Sequence, residues 1–221
     1  MFNFLIKILD FIYRKKCYIC GKSSENSILC SKCYDKINFL TFSACRIISG
    51  IKIYSACYYE KEMQKIIRGV KYHNQRELAK FQARIMYDYF SKTTEKDLTF
   101  AVVPVPLHKN RQKQRRYNHM ELVGQELCLL TGWELKTDLI ERIKDTKPQY
   151  KLSFKDREQN LKDAFKIYKE NYNNENILLI DDILTTGSTF GEIINSLKAA
   201  GISKITGFTA STVHGGSVNI Y

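Results

Sequence analysis

Asp181 and Asp182 are adjacent carboxylates that directly follow the apolar run Ile177-Leu178-Leu179-Ile180, and Thr185-Thr186-Gly187-Ser188-Thr189 comes soon after. The apolar run reads as a buried strand that delivers both acids to the carboxyl edge of a sheet, where open α/β folds bind ligands. Side chains alternate along a strand, so the two carboxylates point in different directions and need not repel strongly. As acceptors they suit the paired hydroxyls of a ribose. The hydroxyl-rich loop enters a helix N-terminus, whose free N–H groups and dipole favour an anion. Gly187 can take the positive φ that other residues resist. No basic residue lies in this loop. Together these residues read as a sugar-phosphate site beginning at Asp181, with a monophosphate cup built from backbone and hydroxyls. A Walker loop would need Lys after Gly187, and a dinucleotide fold would need G-x-G-x-x-G; the sequence has neither. The plainer alternative is a helix capped by Thr or Ser behind two structural aspartates.

A second cluster is Cys17-x-x-Cys20 with Cys30-x-x-Cys33. Two matched pairs at this spacing make a closed tetrahedral thiolate shell, the pattern of a structural zinc site with no open position for catalysis. A redox pair is the alternative. Such a ribbon is too small to fold on its own core, so metal loss should unfold it. Cys45, Cys57 and Cys128 read as small apolar residues. Without an export signal a disulfide framework is not expected, which points to a reducing cytosol.

The third cluster is basic. Lys109, Arg111, Lys113, Arg115 and Arg116 put five positive charges into eight residues without an offsetting acid. The stretch reads as an anion-binding flap, as a track for a nucleic-acid backbone, or as a solvated face. Tyr117 beside it suits base stacking or the packing of a helix start.

The elements that must hold these residues are those of an α/β protein with a metal-bearing appendage. A strand is expected over 51–59, helices from 60 and over 76–90, and a buried strand at 100–103 ended by Pro104 and Pro106. Further expectations are a helix over 117–130, a short strand at 139–143, and a turn of helix within 146–162. Strand 177–180, helix 189–200 and strand 204–210 then form a βαβ unit, which implies a parallel sheet. The 221 residues allow one sizeable domain, 46–221, and a small module, 1–45. A hydrophobic share of 44% is that of a globular chain, and no fixed-period repeat is present. The net charge of +12, from 35 basic against 23 acidic residues, favours polyanions: nucleic acid, phosphate esters or an anionic membrane surface. Residues 1–16 carry apolar positions Phe4, Leu5, Ile8, Leu9 and Ile12 at helical spacing. They are too short to span a bilayer and lack a secretory pattern. This amphipathic helix is expected to pack on the protein, with peripheral contact at the inner membrane face as its alternative.

Residues 180–189, IDDILTTGST, resemble the phosphoribosyl pyrophosphate motif of type I phosphoribosyltransferases. The resemblance implies ribose contacts from Asp181 and Asp182, a 5′-phosphate site at Thr185, Thr186, Gly187, Ser188 and Thr189, and magnesium bound with the ligand. It also implies a pyrophosphate loop at Pro106, Leu107, His108 and Lys109. More broadly, the chain is similar to the ComF family, which joins a four-cysteine ribbon to a phosphoribosyltransferase-like domain. That likeness rests on Tyr58-Tyr59-Glu60, Ile66-Ile67-x-x-Val70-Lys71, Val103-Pro104-Val105-Pro106-Leu107, Gln149-x-x-Leu152-Ser153, Arg157, Asn160 and Ala164-Phe165. The family's Arg-Gly-Phe-Asn-Gln stands here as Arg115-Arg116-Tyr117-Asn118-His119. Loss of the glycine stiffens the loop, and His119 is expected on a helix surface. The resemblance implies a role in natural transformation, beside other DNA-uptake proteins. The first functional expectation is accordingly a cytoplasmic DNA-handling protein whose ribbon and basic stretch, through Arg111, Lys113, Arg115 and Arg116, bind single-stranded DNA while the second domain binds phosphoribosyl pyrophosphate. An active phosphoribosyltransferase of unknown acceptor is the second expectation, and a purely regulatory ligand site the third.

Overall fold

The computed structural model describes residues 15–24, 27–42, 44–93, 95–145, 161, 163–214 and 219–220. In chain order its elements begin with α1 (Ser31–Tyr34), β1 (Ala44–Ile48), β2 (Ile51–Tyr58), α2 (Lys61–Tyr72), α3 (Leu78–Phe90) and β3 (Phe100–Pro104). They continue with α4 (Lys109–Arg115), α5 (His119–Thr131), β4 (Glu134–Leu135), β5 (Ile140–Arg142) and β6 (Phe165–Ile167). A 3₁₀ turn, β7 (Asn176–Leu184), α6 (Ser188–Ala199), β8 (Ile205–Thr212) and β9 (Asn219–Ile220) complete the fold. Residues 1–14 of the expected helix in 1–16, all but residue 161 of the expected turn in 146–162, and the family positions 149, 152, 153, 157 and 160 lie outside the described residues.

Seven strands form one sheet in the order β4-β3-β7-β8-β2-β1-β9. The five from β4 to β2 run parallel, and β1 and β9 add an antiparallel edge. Period-two alternation in β7 splits the core. Leu178 and Ile180, with Phe100, Val102 and Phe208, pack on one face against α2, α3 and α5. Ile177 and Leu179, with Ala101 and Val103, pack on the other against Phe190, Ile193, Ile194 and Leu197 of α6. The mixed α/β architecture with a mostly parallel sheet is the one the βαβ pattern called for.

The short strand expected at 139–143 is β5, which pairs antiparallel with β6 in a separate two-stranded sheet. Some other local expectations need correction. The basic stretch is a helix and not a loop: His108 caps α4 by accepting the Asn110 N–H at 3.3 Å, so the local cap prevails over the mutual repulsion of the cations. The helix expected from 117 starts at His119, because the Asn118 side chain accepts the Met120 N–H at 3.0 Å.

The cysteine segment does not have a core of its own. Cys17, Leu29, Cys33, Ile37 and Leu40 belong to the same buried cluster as the inward faces of α2 and α3. Close approach is possible because Gly69 has no side chain; a Cβ there would collide with Leu78 and press on the Tyr18 ring.

Candidate functional site

Of the helices that follow β3, α5 covers one face of the sheet, and α6 after β7 covers the other, so the chain reverses direction between these two neighbours. Such a switch point opens a crevice at the carboxyl ends of both strands. Here β3 leaves the sheet after Pro104, with the Val105 N–H donating to Ile180 at 2.9 Å. Meanwhile β7 continues beside β8 as far as Leu184. Asp181 and Asp182 are therefore strand residues beside an opening, and the loop proper begins at Thr185, four residues later than the sequence suggests.

Asp182 is only 4% exposed. Its carboxylate forms an ion pair with Lys71 from the last turn of α2 and accepts from His119 Nε2–H of α5 at 2.8 Å. Its carbonyl accepts from the Ser211 hydroxyl at 3.0 Å. Burial opposes the charge, but the Lys71 ammonium and His119 outweigh it and hold the carboxyl well below the usual range. Lys71 is likewise penalised by burial and, on balance, raised by the two aspartates. Asp181 is half-buried and accepts the Asp182 N–H on Oδ1 at 2.8 Å. Burial, then the neighbouring Asp182 charge, push its carboxyl up to about 7. One acid is thus held in its charged form by Lys71 and His119, and the other is raised toward neutral pH in the crevice. His119 is 3% exposed, which corrects the expected surface position. Burial lowers its pKa, so the neutral ring donates from Nε2, and Nδ1 has no hydrogen-bond partner among the described residues.

The crevice is a cavity of about 350 Å³ lined by Asp181, Asp182, Lys71, His119, Thr189, Leu107, Arg111, Arg115 and Arg142, among others. Burial, then the nearby Arg111, lower the Arg142 guanidinium to about 10, which reflects the density of positive charge facing the acids. Of the residues expected to hold pyrophosphate, Pro106 and Leu107 line this cavity. Lys109 instead pairs with Glu141 at 2.8 Å and lines a neighbouring cavity, while His108 caps α4. Of the four expected nucleic-acid contacts, Arg111 and Arg115 reach the acids' cavity, Arg116 lines the one beside it, and Lys113 is exposed on α4.

The hydroxyl loop is shaped as its residue types require. Gly187 has φ +87°, and a Cβ there would strike Ile48. The Thr186 and Ser188 hydroxyls are 2.9 Å apart, and Thr186 Oγ1 accepts the Ser188 N–H at 3.4 Å. Thr186, Gly187 and Ser188 line a cavity of about 280 Å³, and Thr189 turns toward the acids. Sequence reasoning missed Arg46 of β1, which donates to the Thr185 and Thr186 carbonyls at 2.6 and 3.2 Å and clamps the loop from outside. It also assigned no role to Lys71, which was visible only as the last residue of the family pattern Ile66-Ile67-x-x-Val70-Lys71.

Arg116 ends α4 with φ +68°. A side chain in that region costs about 1–2 kcal/mol, which explains why the related pattern carries glycine here. Arg116→Gly is expected to raise stability by about 0.5–1 kcal/mol after the extra chain entropy of glycine is counted. Urea unfolding at low and high salt would separate strain relief from the loss of a charge.

In the cysteine quartet the four Sγ atoms lie within 4.8 Å of one another, with Cys20 and Cys30 at 3.9 Å. The Cys17 thiol is penalised by burial, yet backbone N–H groups of Cys30, Cys20 and Ile19 bring it down to about 6. Burial and the neighbouring thiols push the Cys33 thiol up, so one proton is held less tightly at Cys17 than at Cys33. The closed set of four converging sulfurs fits a structural zinc ion.

Competence protein F of Haemophilus influenzae is 30% identical over 198 residues, covering 86% of this chain and 86% of that protein. This chain belongs to the competence protein F family. DNA utilization protein YhgH of Salmonella typhimurium is 27% identical over 157 residues, covering 70% of this chain and 69% of that protein. No family model matches. Among solved structures, adenine phosphoribosyltransferase from Thermoanaerobacter pseudethanolicus aligns over 76% of this chain and 79% of its own at 14% identity, with a TM-score of 0.35. No helix among the described residues is long and apolar enough to cross a membrane.

Proposed function

We propose that this chain serves DNA uptake by binding single-stranded DNA together with magnesium-bound phosphoribosyl pyrophosphate. The observation that carries this reading is the switch-point cavity, where the half-buried Asp181 carboxylate and Thr189 of the α6 N-terminus face Arg111 and Arg115. A phosphorylated sugar complements both sides, with hydroxyls for the acid and anionic groups for the cup and the guanidinium ions. In this reading the ribose hydroxyls meet Asp181, and Asp182 stays committed to Lys71 and His119 behind it. The 5′-phosphate takes the N–H and hydroxyl cup at 185–188, which Arg46 holds in shape. Pyrophosphate lies toward Arg111 and Arg115, and magnesium adds counter-charge to it. The strand follows the cations of α4. Relatives named for competence and DNA utilization support the DNA half of the proposal. A cytoplasmic location and contact with other DNA-uptake proteins belong to the same proposal, with peripheral membrane contact by residues 1–16 as the alternative to their packing on the protein.

One observation favours turnover as a second reading. A carboxyl held at about 7 in a crevice is suited to proton transfer, which ligand binding alone does not need. A phosphoribosyltransferase would then release pyrophosphate only when an acceptor is present.

Calorimetry on the zinc-loaded chain should detect phosphoribosyl pyrophosphate in the presence of magnesium. Asp181→Asn should weaken it about tenfold, the effect of losing roughly one charge-assisted hydrogen bond. Single-stranded DNA affinity should fall steeply with salt. Absence of ligand heat, together with salt-insensitive DNA binding, would overturn the proposal.

A further inference from the structure

Beside the acids' cavity lies another of about 440 Å³, and the two share Lys71, Tyr72, Gln114 and Arg115. Its walls come from the last turn of α2 and the C-terminal end of α4, so two helix ends define it. The apolar face of α2 is buried through Met63, Ile66, Ile67 and Val70, yet its final residue, Tyr72, is 59% exposed. The Arg115 guanidinium lies 5.0 Å from the Tyr72 ring centroid and donates to its phenolic oxygen at 3.4 Å. Tyr117, the residue whose position first suggested stacking, is otherwise engaged. An arginine lies over each ring, Arg76 over Tyr117 and Arg115 over Tyr72, but Tyr117 is half-buried and its hydroxyl donates to the Val70 carbonyl at 2.5 Å. Arg116 completes the wall, and none of the described residues lining this cavity is acidic.

An exposed ring with arginines beside it, in a cavity whose described lining holds no acid and whose Lys71 turns to Asp182, complements a ligand that is both aromatic and anionic. A nucleotide in a single strand has that character, with an open base face and a phosphate one sugar away. A duplex does not, because its base faces are already stacked. We infer that this cavity takes one nucleotide of a single-stranded DNA, with its base on Tyr72 and its phosphate on Arg115 and Arg116. The inference rests on the single-stranded DNA reading above and gives that reading a base contact. The shared wall makes the bound nucleotide the immediate neighbour of the phosphoribosyl cavity.

Fluorescence anisotropy with a labelled oligodeoxythymidylate and the zinc-loaded full chain tests it. Tyr72→Ala should weaken single-strand binding about tenfold, the usual worth of one stacked base, while Tyr72→Phe should stay near wild type because the ring remains. Neither variant should change affinity for a duplex of equal length. A fluorescent purine analogue in the single strand should be quenched by the wild type and by Tyr72→Phe, and not by Tyr72→Ala. Unchanged single-strand affinity in Tyr72→Ala, or equal losses in both variants, would remove this inference and leave the proposed function standing. Failure of the wild type to bind single strands at all would remove both.

Discussion

Lys71→Met is expected to cost about 3–5 kcal/mol of folding stability, because it leaves the Asp182 carboxylate buried without its cation. The pair is well enclosed, with side-chain exposures of 16% for Lys71 and 5% for Asp182. Methionine fills much the same space as the lysine stem, so the loss is electrostatic and not a cavity effect. What remains for Asp182 is a neutral His119 N–H at 2.8 Å, which cannot balance the charge. The sign of the pH dependence follows. The folded-state pKa of Asp182 is depressed, so its contribution is present above the unfolded carboxyl value of about 3.9 and is lost as pH falls through the folded value. The wild type should therefore lose stability in acid more steeply than Lys71→Met, which has already lost this contribution at neutral pH. Asp181 acts in the opposite sense: with a folded value of about 7, it makes the fold less stable as pH rises from about 4 to 7. Lys71→Met/Asp182→Asn should recover much of the single-variant loss. Urea unfolding across pH reads all three. A loss below about 1 kcal/mol in Lys71→Met would show that the pair is not the buried ion pair described.

Zinc removal should reach further than the ribbon. Structural zinc sites in small modules supply about 10–16 kcal/mol of apparent binding energy that is also folding energy. In this chain the ligands Cys17 and Cys33 lie in the same core as α2 and α3. Tyr18, between the first two cysteines, packs at Gly69 and hydrogen-bonds His73, two residues beyond Lys71. Lys65 of α2 donates to the Ile19 carbonyl at 3.0 Å. Chelation, or Cys33→Ser, is therefore expected to lower the main unfolding transition by several kcal/mol and to weaken phosphoribosyl pyrophosphate binding, although no cysteine touches that cavity. Metal analysis paired with calorimetry checks this. A chelated protein with an unchanged transition would rule out a structural metal in the quartet.

The parts of this protein readable from sequence alone are those whose physics is local. Two Cys-x-x-Cys pairs close a thiolate shell with little help from elsewhere, and the four Sγ atoms do converge. A glycine between hydroxyls at a helix start requires one backbone geometry, and Gly187 adopts it. The run 177–180 could only be a buried central strand, because its side chains are apolar on both faces. Tertiary structure decided the remainder, since it depends on which distant residues share a crevice. Lys71 and His119 come from helices more than 60 positions from Asp182, and their convergence makes one aspartate a buried anion and its neighbour a near-neutral acid. Arg46 reaches the hydroxyl loop across about 140 positions. The basic stretch, uniform in sequence, is divided by its helical period, with Arg111 and Arg115 turned to the acids and Lys109 turned to Glu141. Charge type and helix caps can be read one residue at a time. Desolvation and ion pairing depend on the packed neighbours, and only the fold assigns those.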